Sequence, residues 1–206
     1  MNKLILLGTI VIGLTTSCSN SNQPDNTDNS SNQIVVTNDT SQTIKNKNVI
    51  TQKITPCLWV DKDAKAVVDY YLSIFKDGKL KEYHRYENPP EPKEQGGQDY
   101  FETAVMAIGG VEFSILAAGP FFKFNESISF VINCKDQAEV DYYWSALTAN
   151  GGEESNCGWC KDKYGLSWQV VPVEYFDLIN SDDHKVREKV MKNTMKQKKL
   201  ILSKLK

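Results

Sequence analysis

Cys157 and Cys160 bracket a Gly-Trp pair, the two-residue spacing of a redox dithiol. Such a dithiol works when its first cysteine sits at a helix N-terminus, where the dipole favours the thiolate. Here Lys-Asp-Lys-Tyr-Gly follows at 161–165, and then strand-like sequence. Without a helix to activate them, Cys157 and Cys160 read as packing cysteines or a structural link, alongside Cys57 and Cys134. A second kind of chemistry lies in polar residues that alternate with apolar ones. Glu112 and Ser114 oppose Phe113 and Ile115; Ser127, Ser129 and Asn133 oppose Ile128, Phe130 and Ile132; Ser167 and Gln169 oppose Trp168 and Val170. Period-two alternation places each polar set on one face of a strand, and Trp59 shares that parity. A concave wall of this kind can take a small molecule, with Glu112 as charged anchor or base and Gln169 as an orienting amide. Alternation alone equally allows serines that simply face water.

The elements that must position these residues come in two copies. Val-Asp-Tyr-Tyr-Leu-Ser at 68–73 returns as Val-Asp-Tyr-Tyr-Trp-Ser at 140–145, each within a helical period preceded by a short strand. A repeated unit predicts a pseudo-symmetric domain with a cleft between its halves. The first copy reads as a strand over 54–60, a helix capped by Asp63 and running to 75, and strands over 79–87, 100–108 and 111–118. Gly109 and Gly110 form the hairpin turn, where positive φ is cheap. The second copy reads as a strand over 127–133, a helix over 136–148 ended by Gly151 and Gly152, short strand material to 160, a turn at 162–165 and a strand over 166–171 closed by Pro172. Asn-Pro-Pro-Glu-Pro at 88–92 breaks the first copy, and 96–97 is loop. Ser181, Asp182 and Asp183 cap a basic terminal helix reaching about 203, with Val186, Val190 and Met191 on its packed side. The strand–helix–three-strand order, twice over, is α+β. The paired tyrosines 70–71 and 142–143 read as core, with hydroxyls at the rim.

Four stretches carry a family resemblance: 54–60, 122–125 (Phe-Lys-Phe-Asn), 140–144, and Cys-Gly-Trp at 157–159 with 162–172. The doubled βαβββ pattern resembles the vicinal oxygen chelate superfamily, which includes glyoxalase I, extradiol dioxygenases and bleomycin-resistance proteins. More narrowly it resembles the branch described as 3-demethylubiquinone-9 3-methyltransferase-like, or PhnB-like. The resemblance implies two βαβββ modules forming a curved sheet with a cleft, plus a C-terminal helix, over 52–206. It also allows a homodimer, since members often pair domains. Superfamily members hold a divalent metal with His, Glu or Gln from the first and last strands of each module. By register those positions fall at Thr55, Ser114, Ser127 and Gln169. Hydroxyls and one amide hold a first-row ion poorly, so no metal or other cofactor is expected. A two-residue shift would bring His84 and Glu112 beside Gln169 and restore a site. Cys160 departs from the family pattern, which has an aliphatic residue there. No Gly-rich strand-to-helix loop is present to cradle S-adenosylmethionine.

The first 18 residues read as a lipoprotein signal: Lys3, an apolar stretch over 4–14, and Thr-Thr-Ser before Cys18, the residue that would carry lipid. Thr15 replaces the branched aliphatic usual at that position, and ordinary secretory cleavage is the alternative. Residues 19–51, rich in Ser, Asn, Thr and Asp, read as a disordered tether to a bacterial membrane. A net charge of −2 gives nucleic-acid binding no electrostatic support. The basic terminal helix reads as a packed helix with a solvated face; attraction to anionic lipid is its functional alternative. The sequence thus predicts an exported, lipid-anchored small-molecule binder whose metal-poor cleft is lined by Thr55, Trp59, Glu112, Ser114, Ser127, Ser129 and Gln169. The competing classes are a metal-dependent lyase, isomerase or dioxygenase, and an envelope interaction module. No residue is assigned a catalytic role.

Overall fold

The computed structural model describes residues 52–87 and 99–206. The signal, Cys18, the whole tether, the proline break at 88–92 and the glycines at 96–97 lie outside those residues. Module 1 runs β1 (Cys57–Val60), α1 (Ala64–Ile74), β2 (Lys79–Glu87), β3 (Tyr100–Ile108) and β4 (Val111–Ala117). Module 2 runs β5 (Ser129–Cys134), α2 (Gln137–Thr148), β6 (Glu153–Glu154), β7 (Trp159–Lys161) and β8 (Ser167–Pro172). Each module closes its own four-stranded sheet, ordered β1-β4-β3-β2 and β5-β8-β7-β6, with the first and last strands parallel. This is the α+β, doubled βαβββ architecture of the vicinal oxygen chelate fold.

Local chemistry sets the element boundaries. Asp63 caps α1 by accepting the Ala66 N–H at 2.9 Å, and Asp136 caps α2 by accepting that of Glu139 at 2.9 Å. The buried stripe of α1 is Val67, Val68, Tyr71 and Ile74, the helical spacing read from the sequence. At Gly78 a Cβ would lie 2.6 Å from Leu72 Cδ2 and 2.8 Å from the Phe75 carbonyl, so only glycine permits the tight exit into β2.

Four boundaries differ from the sequence reading. β1 starts at Cys57, leaving Thr55 exposed ahead of it. β5 starts at Ser129, because the Ser127 N–H is captured by Asn125 Oδ1 at 2.9 Å, a local turn that competes with the strand ladder. A seven-residue helix, α3 (Val173–Ile179), follows Pro172. Its Val, Tyr, Phe and Ile content looks strand-like, and its length hides the period. The terminal helix, α4 (His184–Thr194), is far shorter than expected. Leu200 and Leu205 are fully buried, and the chain must turn back to bury them. Met191, expected on the packed side, is 48% exposed.

Two cores result. The larger joins the helix-facing sides of both sheets: Leu58, Met106, Phe113 and Ile115 from module 1 with Cys160, Trp168 and Val170 from module 2, around α1 and α2. The Phe113 and Phe130 rings meet edge-on at 4.9 Å, and Trp168 lies 5.6 Å from Phe75. The smaller core joins Val171, on the opposite face of β8, to Leu200 and Leu205. The C-terminal segment is fastened there by the Cys157 and Gly158 N–H groups, which donate to the Gln197 and Lys198 carbonyls at 2.7 Å each. Both cores are built from residues between 58 and 205, so this unit carries its own interior.

Candidate functional site

Because the helix-facing sides of both sheets close on one core, their polar sides turn away from it. In module 1 that outer face carries Cys57, Trp59, Glu112 and Ser114, with Thr103 on β3 and His84 on β2. The Trp59 indole N–H donates to the Gly119 carbonyl at 2.9 Å. Its ring meets Phe122 edge-on at 4.9 Å and Phe121 at 6.4 Å. The Glu112 carboxylate is ion-paired with Lys81, which the β-bulge between Leu80 and Glu82 turns toward it. The Gln52 side chain grips the Glu112 backbone on both its N–H and its carbonyl, at 3.1 and 3.0 Å. Ser114 Oγ lies 3.4 Å from the Pro56 carbonyl.

In module 2 the corresponding face carries Ser129 and Gln169, and the Gln169 amide donates to Ser129 Oγ at 2.9 Å. Ser167 sits beside Ser129 in register, buried, with no hydrogen-bond partner for its hydroxyl among the described residues. The predicted residues therefore fall into three groups. Trp59, Glu112 and Ser114 share one face, Ser129 and Gln169 share another, and Thr55 and Ser127 are exposed outside the strands. Among the described residues, no hydrogen bond, ion pair or ring contact links the first group to the second.

What lies beside Trp59 is a cavity of about 310 Å³. Its walls include Trp59, Cys57, Phe122, Phe124, Ile128 and Phe130. The loop over 121–128 supplies five of the eleven lining residues, where the sequence suggests a family motif at 122–125 and the start of a strand at 127. The available signal was three phenylalanines at 121, 122 and 124 in a segment with no strand or helix to bury them. Phe122 is 58% exposed and Ile128 68%, apolar surface concentrated at one place. Cys57 faces Ser114 across the β1–β4 pair, so the polar outer face borders this aromatic chamber.

The strongest electrostatic feature lies elsewhere. Asp162, 1% exposed, accepts from Tyr71 Oη and Trp168 Nε1, both at 2.8 Å, and from the Tyr164 and Leu166 N–H groups at 2.9 and 3.1 Å. Burial pushes its pKa upward despite these four donors. Because Tyr71 belongs to α1 and Trp168 to β8, this carboxylate ties the two modules together. The sequence marks 162–165 as a turn within a family motif and gives no sign of a buried carboxylate. Cys160 is buried, and desolvation, assisted by Asp162, pushes its thiol up to about 12. It is a core thiol, and Cys57, Cys134, Cys157 and Cys160 are all free.

The residues do not fit a divalent metal of the superfamily kind. Two of the four register positions, Thr55 and Ser127, stand outside the strands, the third is the hydroxyl of Ser114, and Glu112 is neutralised by Lys81, which leaves the Gln169 carbonyl oxygen as a single neutral donor. Among the described residues, no three His, Cys, Asp or Glu side chains gather where they could hold an ion.

Residues 52–171 match the family model described as 3-demethylubiquinone-9 3-methyltransferase. The chain belongs to this family. It lies within the vicinal oxygen chelate superfamily, whose doubled module the strand order displays. Among solved structures, the chain is similar to the Bacillus cereus PhnB protein, which carries the same methyltransferase description, at 26% identity. That match covers 59% of this chain and 99% of the other, with a TM-score of 0.49. Protein PA1353 from Pseudomonas aeruginosa is 20% identical over 59% of this chain and 98% of its own, TM-score 0.46. The fosfomycin resistance protein FosX from Listeria monocytogenes, solved with Mn(II), is 17% identical over 59% and 92%, TM-score 0.41. No curated protein matches the chain.

Proposed function

We propose that this family member is an exported, lipid-anchored protein that binds a small, partly apolar molecule beside Trp59 without a metal ion. The observation that carries the reading is the chamber of about 310 Å³ walled by Trp59, Phe122, Phe124 and Phe130. Ligand sites are concave, mainly apolar and supplied with a few polar groups; Lys123 and Asn125 in the wall provide these, with Ser114 and Glu112 on the adjoining face. Glu112 is the charged anchor, releasing Lys81 or sharing it with an anionic part of the ligand. Export and anchoring rest on the signal pattern ending at Cys18, with 19–51 as the tether.

Native mass spectrometry of protein isolated from envelope fractions, without chelator, tests all three parts. The expected result is a lipid mass on Cys18, no stoichiometric metal, and a retained small molecule that Trp59→Ala releases. Stoichiometric zinc, iron or manganese would overturn the metal-free reading in favour of a lyase, isomerase or dioxygenase. A diverse metabolite library that leaves thermal stability unmoved would overturn ligand binding in favour of an interaction module.

A further inference from the structure

The chain's charge is unevenly spread. Residues 184–206 hold nine of the 24 basic residues and one of the 26 acidic ones, so a strongly positive end stands against a strongly negative remainder. Part of that charge is used internally: Lys198 pairs with Glu154, Lys199 with Asp141 and Lys206 with Glu174. Lys185, Lys189, Lys192 and Lys196 make no ion pair among the described residues and are exposed. Their spacing of four, three and four puts them in one stripe along α4 and the turn that continues it. Beside the stripe, at i and i+4, stand Met191 and Met195, 48% and 68% exposed. The helix cannot roll to hide them, because Val190 and Thr194 hold its other side at 1% and 3% exposure. The single carboxylate of this face, Glu188, sits 3.6 Å from His184.

We infer that this face of α4 is a peripheral membrane-contact surface for anionic phospholipid. Lysines flanking a pair of unbranched thioether side chains satisfy both layers of a bilayer interface: ammonium groups at the phosphates, methionines at the acyl boundary. A nucleic acid would pair the lysines yet leave both methionines in water, and an acidic protein would need an apolar patch matched to them, whereas an anionic bilayer supplies both layers anywhere on its surface. The acidic remainder of the chain is repelled by the same lipid, which turns this end toward the membrane. The inference does not need a lipid on Cys18; failure of either leaves the other standing, since anchoring is read from the Cys18 mass.

The test uses a chain beginning at residue 19, which omits the apolar stretch at 4–14 and retains both cores. Sedimentation with phosphatidylcholine vesicles containing about one-third phosphatidylglycerol should show binding that weakens as salt rises, and none to phosphatidylcholine alone. Lys189→Glu with Lys192→Glu should reduce partitioning more than tenfold, taking roughly fivefold for each lysine lost. Met191→Ser with Met195→Ser, at unchanged charge, should reduce it severalfold. Both variants alter exposed side chains and should melt as the parent does. Three results would overturn the inference: no binding at low salt, charge-reversed protein that binds as well as the parent, or binding indifferent to the methionines, which would mark a generic polycation open to acidic proteins or nucleic acids.

Discussion

The two modules share one strand–helix plan and finish it differently. In module 1, β4 is buried on one face only: Phe113, Ile115 and Ala117 point into the core, while Glu112, Ser114 and Leu116 stay partly exposed. In module 2, β8 is buried on both faces except at Gln169. The cause is the segment after β8, which folds back so that Leu200 and Leu205 seal Val171. The Gln137 side chain at the start of α2 clamps it, accepting from the Leu202 N–H at 2.8 Å and donating to the Leu200 carbonyl at 3.1 Å. Their buried acids differ in the same sense. Glu102 works within module 1, accepting from the Ala64 N–H and from Tyr83 Oη, at 2.8 and 2.9 Å. Asp162 reaches across to Tyr71 of the other module. Module 2 has become the structural half, and module 1 keeps the open face; the aromatic chamber forms where Trp59 of module 1 meets the 121–128 loop and Phe130 of module 2.

Breaking the clasp between modules should have the largest effect. Asp162→Ala orphans the Tyr71 hydroxyl and the Trp168 indole N–H in the core, at about 1–3 kcal/mol for each buried donor. A loss of about 3–5 kcal/mol is expected in denaturant titration, with retained stability counting against Asp162 as the clasp. Asp162→Asn should cost less and remove a pH dependence. Burial raises the Asp162 pKa, so the folded state holds its proton more tightly than the unfolded chain does. Its contribution to stability is therefore greatest at low pH and declines as pH climbs from the unfolded toward the folded pKa. The exposed carboxylates lowered by lysine partners, Glu126 and Asp141, change stability in the opposite direction, and subtracting the Asp162→Asn profile isolates the first effect.

Next in size, Leu200→Ala should destabilise by about 2–5 kcal/mol, the cost of a buried leucine truncation. It should also expose the outer face of β8, read as new dye binding, while the Trp59 chamber keeps its ligand. Loss of ligand together with the tail would show that the modules do not divide their labour. Trp59→Phe removes the hydrogen bond to the Gly119 carbonyl, a change of about 1 kcal/mol in stability, and should weaken ligand retention without unfolding. Glu112→Gln should be the smallest, under about 1 kcal/mol, because the Lys81 pair is partly exposed and screened. Its larger consequence should be on ligand affinity.

Much of the fold could be read from the chain because it is set by short-range chemistry. Asp63 and Asp136 cap helices through their own side chains, and Gly109 and Gly110 take the positive φ that a tight turn demands. The repeated hexapeptide marks corresponding turns of α1 and α2, though its tyrosines diverge: Tyr71 is core at 1% exposure, whereas Tyr142 is 39% exposed and donates to the Ile74 carbonyl at 2.7 Å. The site was harder to read. Parity put Trp59, Glu112 and Ser114 on one face, but it could not say that Ser129 and Gln169 would face elsewhere, since strand periodicity fixes a side and not the packing of one sheet on another.

The sequence by itself determined the alternating faces, the caps, the turns and the duplication, because each is a property of a few neighbouring residues. Only the tertiary structure decided that Asp162 would be a buried link, that Leu200 and Leu205 would close one module, and that the 121–128 loop would build a chamber against Trp59. Those outcomes depend on which apolar surfaces meet across long stretches of chain, where burial is won by whichever partner arrives in contact and local propensity has no say.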